Sequence, residues 1–129
     1  MESAAATSSR LYDISFEYRL DSLYVSVSGA EHSFGIAKDY WHRIVGVIDH
    51  RQYSKVLIDK DFPQPLSIGA SHMLISELAH SGCRMIKIAV VDRALDEEGC
   101  LFDEMVATNR GLKIKYFHDL DSAEEWLMD

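Results

Sequence analysis

Three carboxylates, Asp59, Asp61 and Asp92, stand at or just beyond the ends of two short apolar runs, Lys-Val-Leu-Ile-Asp at 55–59 and Ile-Ala-Val-Val-Asp at 88–92. If both runs are strands, the carboxylates gather at their C-terminal ends, where open α/β sheets place their ligands. Oxygen donors of this kind suit a hard cation such as Mg²⁺, and a metal-dependent enzyme would use all three. Turn chemistry alone also puts Asp just after a strand. No glycine-rich phosphate loop follows either run, so a nucleotide enzyme lacks its usual support.

Ser67 is the most informative single residue. It follows Pro65 at the expected start of a helix, where a hydroxyl caps by accepting a bond from an early helix N–H. A phosphate at the same place would be stabilised by the helix dipole and would add charge to a docking surface. Phosphorylation of Ser67 is therefore the functional alternative to a plain cap. Asp59 and Asp92 form a candidate ligand edge.

The other reactive types do not assemble. His72 and His80 are two helical turns apart, and the lone His80-x-x-Cys83 lacks the second pair that a zinc site requires. No metal and no cofactor are expected. His42 and His50 fall on the wet face of a helix. Cys83 and Cys100 sit among apolar neighbours and read as buried structural thiols, since nothing near them in sequence would lower a thiol pKa. A Gly-x-Ser-x-Gly nucleophile elbow is absent.

Strand alternation, with one face apolar, runs over 14–19 and 23–28, joined by a short polar connection. Helical spacing follows over 34–51 through Ala37, Tyr40, Trp41, Ile44, Val45 and Ile48. A central strand is expected at 55–59 and a turn at 61–65. A second helix at 66–80 would pack through Ala70, Met73, Leu74 and Leu78, with Gly82 as its C-cap. Next come a strand at 85–92 and a helix at 95–109 that turns Leu101, Phe102, Met105 and Val106 inward. A strand at 112–117 and a last helix capped by Asp119 complete the order ββαβαβαβα. The expected fold is a two-layer α/β domain: a five-stranded mixed sheet with four helices mainly on one face. Residues 1–12 are expected to be a disordered N-terminal tail and 13–129 a single domain.

The chain has 129 residues, 47% hydrophobic and 26% charged, which is the composition of one ordinary globular domain. Its formal charge of −8, from 21 acidic and 13 basic side chains, argues against nucleic acid as a partner. The apolar runs are too short to insert in a membrane and the N-terminus lacks the features of a secretory signal, so a cytoplasmic protein is expected.

The order of elements, with Lys55-Val56-Leu57-Ile58-Asp59 leading through Ser67-Ile68-Gly69 to Leu78 and Gly82, resembles a STAS domain. That is the fold of bacterial anti-sigma-factor antagonists and of the cytoplasmic tails of sulfate transporters. The end of the chain, Asn109-Arg110-Gly111 with Phe117, Asp119, Ala123, Trp126 and Leu127, resembles small stand-alone bacterial proteins of the SpoIIAA-like group. The resemblance covers about residues 14–127 and implies a binding and regulatory module, not an enzyme. In the kinase-regulated antagonists the matching loop reads Asp-Ser-Ser/Thr-Gly. Here it reads Leu66-Ser67-Ile68-Gly69, without the acidic residue before the serine or the hydroxyl after it.

The resemblance implies a protein partner bound through 61–65 and 67–72, and adds Asp61, Gly69 and His72 to Ser67 as the expected partner-contact residues. A carrier of a small molecule or lipid is the alternative, and the carboxylate enzyme a further one. The polar-faced strands with Lys113 and Lys115 also offer a homodimer surface, although charges on an edge strand ordinarily prevent aggregation.

Overall fold

The computed structural model describes the backbone of residues 2–8 and residues 11–129 in full. Six strands lie in chain order across one sheet: β1 (Glu2–Ser8), β2 (Asp13–Tyr18), β3 (Leu23–Ser28), β4 (Lys55–Asp61), β5 (Lys87–Asp92) and β6 (Lys113–Phe117). The pairs β1–β2 and β2–β3 are antiparallel, and β3 through β6 run parallel. The helices α1 (Phe34–Arg51), α2 (Ile68–Leu78) and α3 (Glu97–Asn109) are the crossovers of the parallel half, and α4 (Leu120–Met128) closes the chain.

The mixed α/β architecture is the expected one, with one strand more. Residues 2–8, within the stretch 1–12 expected to be a disordered tail, run as a strand along β2, while Met1, Ser9 and Arg10 lie outside the described residues. Right-handed crossovers between neighbouring strands put their helices on one side of a sheet. The large core cluster on that side joins Ile36, Tyr40, Ile44 and Ile48 of α1, Leu74 and Leu78 of α2 and Val106 of α3 to inward residues of β2–β6. On the opposite side Ala123 and Leu127 of α4 pack on Leu57, Ala89 and Val91. Alternation along β4 explains the split: Val56 and Ile58 face three helices, and Leu57 faces the fourth.

Several boundaries and phases differ from expectation. The second helix ends at Leu78, and Gly82 opens a 3₁₀ turn, Gly82–Met85, that leaves Met85 exposed before β5. Met73 is exposed, and Ser71, Leu74, Ile75 and Leu78 are the buried face of α2. In α3 the inward positions are Cys100, Asp103, Val106 and Ala107, while Leu101 and Met105 point to solvent. The apolar stripe was misplaced because α3 turns an acid inward, and its reason lies in the strand beneath it. Gly111 has φ of 81° and a Cβ there would meet Arg84 at 2.7 Å, so the turn into β6 demands glycine.

Candidate functional site

The C-terminal ends of β4 and β5 divide their polar residues between the two faces of the sheet. Parallel register pairs Lys60 with Asp92 and Asp59 with Val91. Lys60 and Asp92 therefore point together under the helices, only 5% and 6% exposed. Asp59 points the other way, accepting from Tyr24 Oη at 3.1 Å and from Arg93 Nη1 at 3.0 Å. Asp61, on the same face as Asp59, is exposed. The sheet thus separates Asp92 from Asp59 and Asp61, and the three cannot share a cation. The three carboxylates of the enzyme reading, and the Asp59 and Asp92 of the candidate ligand edge, therefore lie on different faces of the sheet. Among the described residues no group of three or more His, Cys, Asp and Glu side chains could hold a metal ion.

Beneath the helices the structure assembles a polar cluster that the sequence analysis missed. Asp103, 4% exposed, descends from α3 toward Lys60, and Tyr116 of β6 and Ser71 of α2 stand beside it. Burial lowers the Lys60 pKa, an effect opposed by the nearby Asp92 and Asp103. The Asp103 pKa is raised by burial, and Lys60, Ser71 and Tyr116 oppose the rise. Burial, followed by the adjacent Asp103, also pushes the Tyr116 phenol well above its ordinary value. Lysine in a dry interior is stable only beside opposite charge, which is why α3 presents an acid to the sheet. The signal was present in the sequence: Lys60 continues the period-two phase of Val56 and Ile58, and Asp92 that of Ile88 and Val90.

The loop at 61–65 is held from below. His32 stacks on Phe62 with ring centroids 4.1 Å apart, while its Nδ1 lies 3.1 Å from the Gln64 carbonyl and its Nε2 2.7 Å from Tyr40 Oη. A carbonyl only accepts, so Nδ1 carries the proton and Nε2 accepts from the phenol. Burial first, then the charge of Lys60, depresses the His32 pKa to about 4 and keeps this ring neutral.

Ser67 stands immediately after that loop as the N-cap of α2. Its Oγ accepts from Ala70 N at 3.2 Å, and the residue is exposed. Beside it a groove of about 500 Å³ opens between the first turns of α2 and α3. Pro65, Leu66, Ser67, Ile68 and Ser71 line one side, and Leu95, Asp96, Glu98, Gly99, Phe102 and Asp103 the other. Gly99 lets the α3 turn close: a Cβ there would lie 2.6 Å from Leu95 Cδ1, and Asp96 accepts from Gly99 N at 2.7 Å. Gly69 is exposed, with open space where a Cβ would project, so its backbone needs no glycine. His72 sits one turn further along α2 and is 2.7 Å from Arg110 Nη2, which joins α2 to the end of α3. Of the expected contact residues, Pro65, Ser67 and Ile68 share one rim of the groove; Asp61 lies at the end of β4 on the face of Asp59, and His72 is bonded to Arg110.

Both cysteines are buried as expected. Burial raises the Cys83 thiol pKa and, with Asp92 nearby, carries that of Cys100 to about 11, so neither is a ready nucleophile at neutral pH. His42 and His50 are exposed on α1. Lys113 and Lys115 are exposed on β6, and Glu104 of α3 accepts from the Tyr116 amide at 2.8 Å along that strand.

This architecture matches a solved structure. An uncharacterized protein of the DUF3478 family from Shewanella loihica PV-4, described as having a SpoIIAA-like fold, superposes with a TM-score of 0.56. The alignment covers 96% of this chain and 99% of that one at 16% sequence identity. The fold is SpoIIAA-like. No protein-family model matches the chain, and no curated protein matches it. Ser67, the N-cap of α2, lies on the edge of the α2–α3 groove. No helix among the described residues is long and apolar enough to cross a membrane.

Proposed function

We propose that this SpoIIAA-like domain is a regulatory binding module without catalysis of its own, and that it docks a protein partner through loop 61–65 and the first turns of α2. The observation that carries the reading is Ser67 itself. It is an exposed N-cap on the rim of a groove, next to the exposed Ile68 and a loop fixed by His32. An exposed hydroxyl at a free helix start is open to a kinase, and a phosphate there would face the carboxylates Asp96 and Glu98 across the groove. Modification would change the charge of the docking face without disturbing the core. His72, exposed one turn further on and bonded to Arg110, holds that part of α2 against the end of α3 in this reading.

Native mass spectrometry of the untagged protein from its own host tests the switch. A phosphate-sized adduct mapping to Ser67, together with a partner affinity altered by Ser67→Asp, is the expected result. Unchanged affinity in both Ser67→Asp and Ser67→Ala sinks it. The groove volume also favours a second reading, a carrier of a small molecule or lipid. A larger copurifying adduct, or a rise in Tm on adding its purified form, would move the assignment there. A homodimer through the polar strand faces is a third arrangement, which light scattering of the same preparation would reveal.

A further inference from the structure

We propose that the α2–α3 groove receives a basic, apolar-faced segment of the partner, which seats one large apolar side chain in the groove and a lysine or arginine beside it. This rests on the docking reading above and names the chemistry of what docks. Leu66, Ile68, Leu95 and Phe102 supply apolar walls, and the volume of about 500 Å³ is that of a small ligand pocket. One of these walls is open to solvent: Ile68 is 69% exposed.

The charge at the groove has one sign. Asp96 and Glu98 stand on its rim and Asp103 in its wall. Neither Asp96 nor Glu98 belongs to any of the ion pairs among the described residues, whereas Asp103 is set against the buried Lys60. Lys60 lies behind the wall, buried, and its charge is divided between Asp92 and Asp103. It leaves the rim negative. The chain as a whole carries −8, which would draw a cationic segment to the molecule before contact, and the rim carboxylates would then orient it. An anionic segment would meet the rim carboxylates with no cation to answer it.

Three amphipathic peptides with the same leucine pattern, differing only in lysine, glutamine or glutamate at the polar positions, test this against the ¹⁵N-labelled full chain by NMR titration. The lysine peptide is expected to shift the amides of 66–71 and 95–103, to bind at least tenfold more tightly than the glutamine peptide, and to lose about tenfold with Glu98→Lys. Equal affinity of the lysine and glutamine peptides for those amides overturns the charge assignment and leaves docking at α2 intact. Shifts spread over all acidic surfaces, or binding of the lysine peptide unchanged by Glu98→Lys, overturn the proposal as non-specific attraction. Both of these results are independent of whether Ser67→Asp alters binding of the natural partner, so the two readings fail separately.

Discussion

Asp59 and Lys60 are consecutive in β4, yet they meet opposite solvents. Lys60 lies under three helices at 5% exposure, its charge answered by Asp92 and Asp103. Asp59 lies on the face that α4 only partly covers, held by Tyr24 and by Arg93, whose side chain is 51% exposed. Both contacts pair opposite charges, but desolvation decides their weight. In a dry interior, removing one partner strands the other, whereas at the surface water replaces a lost partner at little cost.

The comparison breaks most visibly at Asp103. Asp103→Ala should cost about 3–5 kcal/mol in urea unfolding, because it leaves Lys60 buried with less compensation. Pairing it with Lys60→Met should recover most of that loss, and a double variant as unstable as the single one would show that the two residues do not act on each other. A second, smaller difference concerns pH. The folded pKa of His32, about 4, lies below its unfolded value of 6.5. Its contribution is therefore complete above pH 6.5 and is lost as pH falls through 4, since the unfolded chain takes up the proton first. Allowing for solvent screening of a partly exposed ring, this amounts to about 1–2 kcal/mol. His32→Gln should flatten that part of the stability–pH curve, and an unchanged slope would assign the acid sensitivity to other groups.

Ser67 comes next. Loss of its cap in Ser67→Ala should cost about 1 kcal/mol, while Ser67→Asp, an equally good cap, should leave the Tm close to that of the parent. An aspartate variant as destabilised as the alanine one would show that the hydroxyl does more than cap. The smallest effect is expected on the open face. Asp59→Asn, which removes the pair with Arg93, should cost under about 1 kcal/mol and less at high salt. A loss as large as that of Asp103→Ala would erase the distinction between the faces.

Much of the fold was legible along the chain. The stripe of α1 through Tyr40, Trp41, Ile44 and Ile48 reports its burial directly, and the alternation of β2 and β3 fixes which side faces the core. Ser67 could be recognised as a cap because capping is a contact across three residues. The expectation failed for α3, where apolar content argued for Leu101 and Met105 inside and the structure put Asp103 there instead. Hydrophobic pattern cannot anticipate an inward acid whose partner lies 43 residues earlier in the chain.

Local rules are carried by the sequence itself: a hydroxyl before a helix, glycine at a positive φ, and the two- and 3.6-residue periods that separate strand from helix. They determined the number and order of the strands and α-helices from β2 onward and the capping role of Ser67. That Asp92 and Asp103 meet at Lys60, and that two helix starts leave a groove between them, were decided only in three dimensions. Those outcomes depend on strand register and crossover handedness, which bring together residues too distant in the chain for any local preference to couple them.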